Sequence, residues 1–531
     1  MRATAAGGHP SFMRRVKAAW RVLTGRSADF AALEGESVSG FAGGAVGRLQ
    51  ASLANWSGSI NADLDGQLPI LRARSRQLAS SNEHGKRFVS LCAINIVGRQ
   101  NPKLQVRALR DARDPNKPTT LDKAANDTIE WHWERAGKTM DVTGRHKSIY
   151  ALLRTIVKAV ARDGESLVRI VRDRAMPYGI AVQVLEADRL EHTLNGRMAN
   201  GNQLRQGVEI NSFGRPVAYH VRSTHPGETY ANGPSVIERI PAEDLIHLYL
   251  PERAEQVRGV PWMHAAILRA STIHKFEEAA VTAAQIGASK VAAIERSEDS
   301  ADATSQILDG RSAQGLGQIK VEAGEMFELP PGYKLNSWNP DYPHANFDGF
   351  LKSCLRGLAV AWDVAAHNLT GDMTDVNYSS ARIAELSERE SWMILQDWLI
   401  TSLVMPLYEE WLAIALLMGK ITFPLSGSVL PADRLQKFLA ASTFCGRRWQ
   451  WVDPEKEASA YQKLLEARLT SRTRITAEQG IEFDDLVSEL AEEQRQLREA
   501  GIDSAPAPRE PYRPVPFPRL LPNDAGGHFL P

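Results

Sequence analysis

From Pro261 to Gly287 the chain sets Ala265, Ala266, Ala270, Ala279, Ala280, Ala283 and Ala284 along one side of a helical repeat. Pro261 suits the first turn, where its missing N–H would find no partner in any case. Such a helix is about 40 Å long, and its small side chains let a second helix approach closely. The sequence supplies a partner at Asn346–Ala366, where Phe350, Leu351, Leu355, Leu358, Val360, Ala361 and Trp362 recur near helical spacing. Lys352 and Arg356 lie one turn apart on it. A polar stretch, His367–Val376, carries Gly371 and should end that helix. A further helix begins at Tyr378, with Asn377 as its N-cap and Ile383, Leu386 and Trp392 on one side.

A chain of 531 residues buries a large core and forms more than one structural unit. Lys+Arg and Asp+Glu both number 63. That balance argues against a protein whose main task is tight, sequence-independent DNA binding, but not against a surface past which a duplex slides. The isolated Cys92, Cys354 and Cys445 suggest neither a disulfide framework nor a zinc ribbon and fit a reducing interior. The best membrane-span candidate, Ile394–Met418, contains Asp397, Pro406, Glu409 and Glu410, so no span is expected. Arg14, Arg15, Lys17 and Arg21 are not followed by an apolar run of signal-peptide length.

Residues 11–24 (SFMRRVKAAWRVLT) read as a basic amphipathic helix, and 28–61, rich in Gly, Ala and Ser, as an extended arm. From Arg72 to Arg110 the chain is basic: Arg72, Arg74, Arg76, Lys86, Arg87, Arg99, Lys103, Arg107 and Arg110 stand against Glu83 alone. Phe88, Leu91, Cys92, Ile94, Ile96 and Val97 put one face in the core, leaving a basic face for phosphate, solvent or a neighbouring subunit. Trp131 and Trp133 open a helical region that reaches Asp163 and read as packing anchors. Asp163-Gly164-Glu165 reads as a turn into the strand Ser166–Val171. Strands are expected at Ala181–Leu185, Gly207–Ile210, Val217–Arg222 and Leu245–Tyr249, with Ser212-Phe213-Gly214 turning a hairpin.

Glu295–Asp348 is acidic and glycine-bearing, with short apolar runs such as Gln318–Val321, and reads as a small β-containing insertion. Its GLGQIK is neither a dinucleotide fingerprint nor a P-loop. After Trp392 the helical pattern runs through Trp398, Leu403, Tyr408, Trp411 and Leu416, with Pro406 expected to break or kink it. Leu430–Gly480 reads as mostly helical and an acidic helical piece reaches Ala500. The proline-rich 504–531 reads as disordered.

No HExxH, GxSxG, Walker A or CxxC spacing occurs. No catalytic residue, metal site or cofactor is therefore assigned. The alternative to a structural protein is a metal-dependent DNA-processing enzyme that gathers Asp163, Glu165, Asp188 and His247 in space. As a lone histidine in an apolar strand, His247 reads as a satisfied core residue.

Six segments, DGE (Asp163–Glu165), EADRL (Glu186–Leu190), GVEINSFGRPVAYHV (Gly207–Val221), IPAEDLIHLY (Ile240–Tyr249), QVRGVP (Gln256–Pro261) and NYSSAR (Asn377–Arg382), occur in one order. Together they resemble phage portal proteins of the lambda family, and the resemblance covers roughly 72–420. It implies an α+β portal fold assembled as a ring, dodecameric in the family: an N-terminal basic helix and arm (1–61), a wing (62–258 and 378–429), stem helices (259–288 and 346–366), a clip (289–345), a tunnel loop (367–377), a mostly helical crown (430–503) and a disordered tail (504–531). It implies a head-tail connector of a tailed phage or prophage, at a capsid vertex and assembled in the bacterial cytoplasm. Its expected partners are double-stranded DNA, the terminase large subunit, major capsid and scaffolding proteins and head-completion proteins, with no membrane. Carried onto this sequence, Asn368, Thr370, Asp372, Thr374, Asp375, Lys352 and Arg356 would serve the DNA channel, and Asp299, Asp302 and Asp309 the terminase.

Overall fold

The computed structural model describes residues 58–111, 120–229, 235–288, 292–296, 333–337, 346–374, 376–449, 454–479, 481 and 483–501. The expected basic helix, nearly all of the arm, the run Gln318–Val321 and the tail 504–531 lie outside these residues. The chain divides into two units, 1–63 and 64–531. Of the first, the described residues begin a short helix, Ile60–Leu64.

The second unit opens with α1 (Leu68–Ser81) and α2 (Glu83–Ile96). Asn82 ends the first and caps the second, its side chain accepting the Gly85 N–H at 3.0 Å. After β1 (Lys103–Val106) come α3 (Lys123–Ala136) and α4 (Ile149–Asp163). Helix α4 buries Ile149, Leu152, Leu153, Ile156, Val157 and Val160, the stripe its apolar spacing requires. Gly164 at φ +90° then turns the chain straight into β2 (Glu165–Arg172).

Strand β2 is the centre of an antiparallel sheet, β3 (Ile180–Leu185)-β2-β9 (Leu245–Tyr249). Between β3 and β9 the chain folds a five-stranded antiparallel meander: β4 (Gly196–Arg197), β5 (Gln203–Arg205), β6 (Val208–Ile210), β7 (Pro216–Arg222) and β8 (Ile237–Pro241). The expected turn joins β6 to β7. Side chains on β2 alternate between two cores: Val168 and Ile170 face the large one, while Leu167 joins Leu185, Val208, Tyr219 and Ile240 in the small one. The paired tryptophans separate. Trp133 is buried against Tyr408, Trp411 and Phe444, whereas Trp131 is half exposed under the Arg135 guanidinium.

The long alanine-faced helix is α5 (Ile267–Ala288), preceded by a 3₁₀ turn at His264–Ala266. It is followed by an antiparallel pair, β10 (Ala292–Arg296) and β11 (Tyr333–Ser337). The partner helix is α6 (Phe347–Ala361). Phe276 stacks on Phe347 and meets Phe350 edge-on, while Arg269 lies over Gly357, so the two helices run antiparallel. A Cβ at 357 would displace the Arg269 guanidinium that lies over this glycine.

Besides the start of α5, at Ile267 rather than in a first turn at Pro261, two helix boundaries differ from expectation. Helix α6 stops at Ala361 rather than Ala366, because Asp363 adopts φ +52°. Its N–H reaches the Val360 carbonyl and Val364 N–H reaches that of Ala359, a Schellman ending with aspartate where glycine is usual. A short helix, α7 (Ala366–Thr370), follows and ends at Gly371. The second difference is at Pro406. Helix α8 (Tyr378–Leu399) passes through a π turn (Ile400–Val404) into α9 (Met405–Leu417) without a break. The wider turn absorbs the missing N–H and the ring clash that proline imposes. The resulting run, Ser379–Leu417, is long and apolar enough to cross a membrane by length and composition alone, and half of its most apolar window is buried within the fold. Leu403, Tyr408, Trp411 and Leu412 on it are core residues.

The C-terminal part contains α10 (Leu435–Ala440), β12 (Ser442–Cys445), α11 (Pro454–Glu466), α12 (Arg472–Glu478) and α13 (Phe483–Glu499). Strand β12 pairs with β1, more than three hundred residues away, with Leu104 opposite Phe444.

Candidate functional site

The segment from α6 to α8 is built by capping. Asn377 caps α8 by accepting the Ser380 N–H at 2.8 Å, and Ser380 Oγ in turn accepts the Asn377 N–H at 3.2 Å. Lys352, Arg356, Thr370 and Asp372 converge with Leu355, Ala366, His367 and Val376 around a cavity of about 130 Å³. Lys352 Nζ lies 3.0 Å from Asp348, 3.2 Å from Thr374 Oγ1 and 3.6 Å from Asp372. Thr374 donates both its N–H and its hydroxyl to Asp372, at 2.9 and 2.6 Å. These two bonds, aided by Lys352, hold the Asp372 carboxyl below the usual range. Lys352 thus meets carboxylates of its own chain. Asp375 lies outside the described residues.

Asn368 and Thr370 belong to α7, not to an open loop. Asn368 Nδ2 donates to Glu388 at 2.7 Å, and its carbonyl accepts from Arg87 Nε at 3.1 Å. Glu388 is a buried carboxylate that also accepts the Ala365 N–H and the Trp392 indole N–H, both at 3.0 Å. Three donors from three places fix α7 against α8. The reading of the sequence missed Glu388. Its signal was a charge one helical turn before Trp392, on the face that packs inward.

The four residues of the enzyme alternative also converge, but arginines occupy them. Glu165, fully buried, meets Arg258 Nη2 and Arg72 Nη2 at 2.6 Å and the Gly259 N–H at 2.7 Å. Burial alone would raise its carboxyl; the charges of Arg258 and Arg72, with the hydrogen bond from His247, instead hold it well below the carboxylate range. His247 therefore donates its Nε2–H to Glu165, at 2.9 Å, as a satisfied core histidine. Asp163 is paired with Arg76 at 2.8 Å and Arg162 at 2.7 Å. Asp188 is paired with Arg76 and Arg72, and with His225 at 3.2 Å. Guanidinium pairing on Asp163, Glu165 and Asp188 competes with a divalent cation for these carboxylates, and the one ligand-type cluster among the described residues, Glu186, Asp188 and His225, leaves out Asp163, Glu165 and His247. Part of the basic stretch after Arg72 is thereby internal: Arg72 is buried and Arg76 half-buried in this network. The proposed clip residues Asp299, Asp302 and Asp309 lie outside the described residues.

Residues 46–396 match the family described as phage portal protein, lambda family. The chain is 30% identical over 457 residues to the probable portal protein of Halomonas phage phiHAP-1, covering 84% of this chain and 85% of that one. It is 21% identical over 497 residues to portal protein B of Escherichia phage lambda, covering 87% and 91%. Among solved structures, a chain from the neck of an empty GTA particle aligns with a TM-score of 0.40 and 15% identity, over 80% of this chain and 95% of that one. The chain belongs to the lambda family of phage portal proteins, structural components of the capsid and not enzymes.

Proposed function

We propose that copies of this chain close into a ring, a dodecamer as the resemblance implies, at one vertex of a tailed-phage capsid, and that DNA enters and leaves through its centre. In this reading α5 and α6 are the stem, the turn from Ala366 to Val376 is the tunnel loop, and the insertion between α5 and α6 is the clip that meets the terminase large subunit and later the head-completion proteins. The major capsid and scaffolding proteins surround the ring, and assembly takes place in the bacterial cytoplasm. The observation that supports it most is the charge balance at the loop. Lys352 offsets Asp372 and Asp348 on the same chain, so among the described residues here positive and negative charge lie side by side rather than in a run of one sign. A surface of that kind guides DNA without the counterion-release affinity that would hold it still. Family membership supplies the remaining support.

The test is to replace Asp372–Asp375 with two glycines. Rings and procapsids should still form, while packaging, or retention of packaged DNA, fails. A normal yield of stably filled heads would place this turn outside the channel.

A further inference from the structure

A cavity of about 360 Å³ lies beside the C-terminal end of α6. Its wall is apolar, formed by Phe88, Cys92, Trp262, Ala361, Trp362 and Trp392, and its rim carries two carboxylates, Glu252 and Asp363. Asp363 is held there by the left-handed ending of α6. The apolar surface continues outward through Val360 and Ile394, 79% and 70% exposed. An apolar cavity of about 150 Å³ suffices for a benzene ring, so this one has room for a large side chain.

The same chain carries a matching knob. Phe213, at the tip of the β6–β7 hairpin, is 93% exposed and so does not occupy its own chain's cavity. The tip is fixed. Asn211 Oδ1 accepts the N–H groups of Phe213 and Arg215 at 2.9 and 3.0 Å, and Gly214 supplies the positive φ. A knob already rigid loses little conformational entropy when it seats. Arg215, exposed and two residues from Phe213, is opposite in sign to the two rim carboxylates, of which Glu252 also faces His264 at 3.7 Å. Among the described residues another fully exposed apolar tip, Leu425, sits in Pro424–Ser428, which has no basic residue.

We propose that Phe213 of one copy seats in this cavity of the next copy, with Arg215 meeting Glu252 and Asp363. Knob and hole are different surfaces of one chain, so the contact is heterologous and repeats around a ring rather than closing a two-fold dimer. It rests on the ring reading above and names the surface that joins the copies.

Full-length protein carrying Phe213→Cys together with Ala265→Cys, at the cavity wall, in a Cys92→Ala background that removes the native wall thiol, is oxidised and run without reductant beside both single variants and the Cys92→Ala protein. The double variant should give a ladder of dimers, trimers and higher species that the other three lack. Separately, Phe213→Asp should raise the concentration for half-assembly at least tenfold, with unchanged helicity and monomer melting. Arg215→Glu should weaken assembly, and Glu252→Arg added to it should restore it. Wild-type assembly by Phe213→Asp with no ladder would overturn the contact while leaving the ring intact. Loss of assembly in Leu425→Asp but not Phe213→Asp would overturn it in favour of that turn. Absence of rings from wild type would instead sink the ring reading.

Discussion

Arg258 and Glu165 form a fully buried ion pair, Nη2 to Oε1 at 2.6 Å, that joins the start of β2 to the segment leading into α5. Arg72 adds a second guanidinium from α1, and Arg258 also donates to the carbonyls of Gln206 and Ala187. Removing one member leaves the others charged and dry, which costs far more than the pair contributes. Arg258→Met should therefore lower stability by about 3–5 kcal/mol, read from the denaturant midpoint. A midpoint within error of wild type would mean that water already reaches Glu165.

Gly164 and Gly259 press backbone to backbone beside this pair. A Cβ on Gly259 would overlap the Gly164 carbonyl, and one on Gly164 would overlap the backbone from Gly259 to Pro261. Gly164→Ala also adds the left-handed penalty of about 1–2 kcal/mol to an overpacking cost of about 1–3 kcal/mol. Soluble yield and thermal midpoint should both fall in either alanine variant. Gly349→Ala, where nothing lies within 4 Å, should lower neither.

Glu388 positions the turn from α6 to α8. Glu388→Ala strands the donors of Ala365, Asn368 and Trp392, and a buried unsatisfied group costs about 1–3 kcal/mol. Amide exchange should rise first at 365–371, ahead of global unfolding. Uniform exchange across α8 instead would make Glu388 a general packing residue.

Two carboxylates give the fold an acid limit. Burial would raise Asp141, but bonds from His146 and Thr143 hold it at about 2. Glu209 is held at about 2 chiefly by Arg239, with Asn202 and Asn200 assisting. Both bind a proton more readily in the unfolded chain, so their contribution is complete above their ordinary carboxylate range. It is lost as pH falls through that range toward about 2. Asp141→Asn and Glu209→Gln should each lower stability at pH 7 and flatten its decline between pH 5 and pH 2. Parallel pH profiles for wild type and variants would exclude this linkage.

The sequence by itself determined what depends on neighbours along the chain. The apolar stripe of α4, the Asn377 cap, the Ser212-Phe213-Gly214 turn and the strands β3, β7 and β9 follow from local spacing and turn chemistry. So did the family, through six segments in one order, two of which, DGE and QVRGVP, meet in the fold, Glu165 binding Arg258 and Gly164 facing Gly259. Only the tertiary structure decided the rest. Strand β12 was unreadable because its partner β1 is remote, and Pro406 is tolerated because a π turn precedes it. Asp363 ends α6 where no glycine announces a stop. The four residues of the enzyme alternative do meet in space, as that reading required, but sequence could not reveal that Arg72, Arg76, Arg162 and Arg258 arrive with them. The charge on a carboxylate is written in the chain, whereas what neutralises it is set by packing.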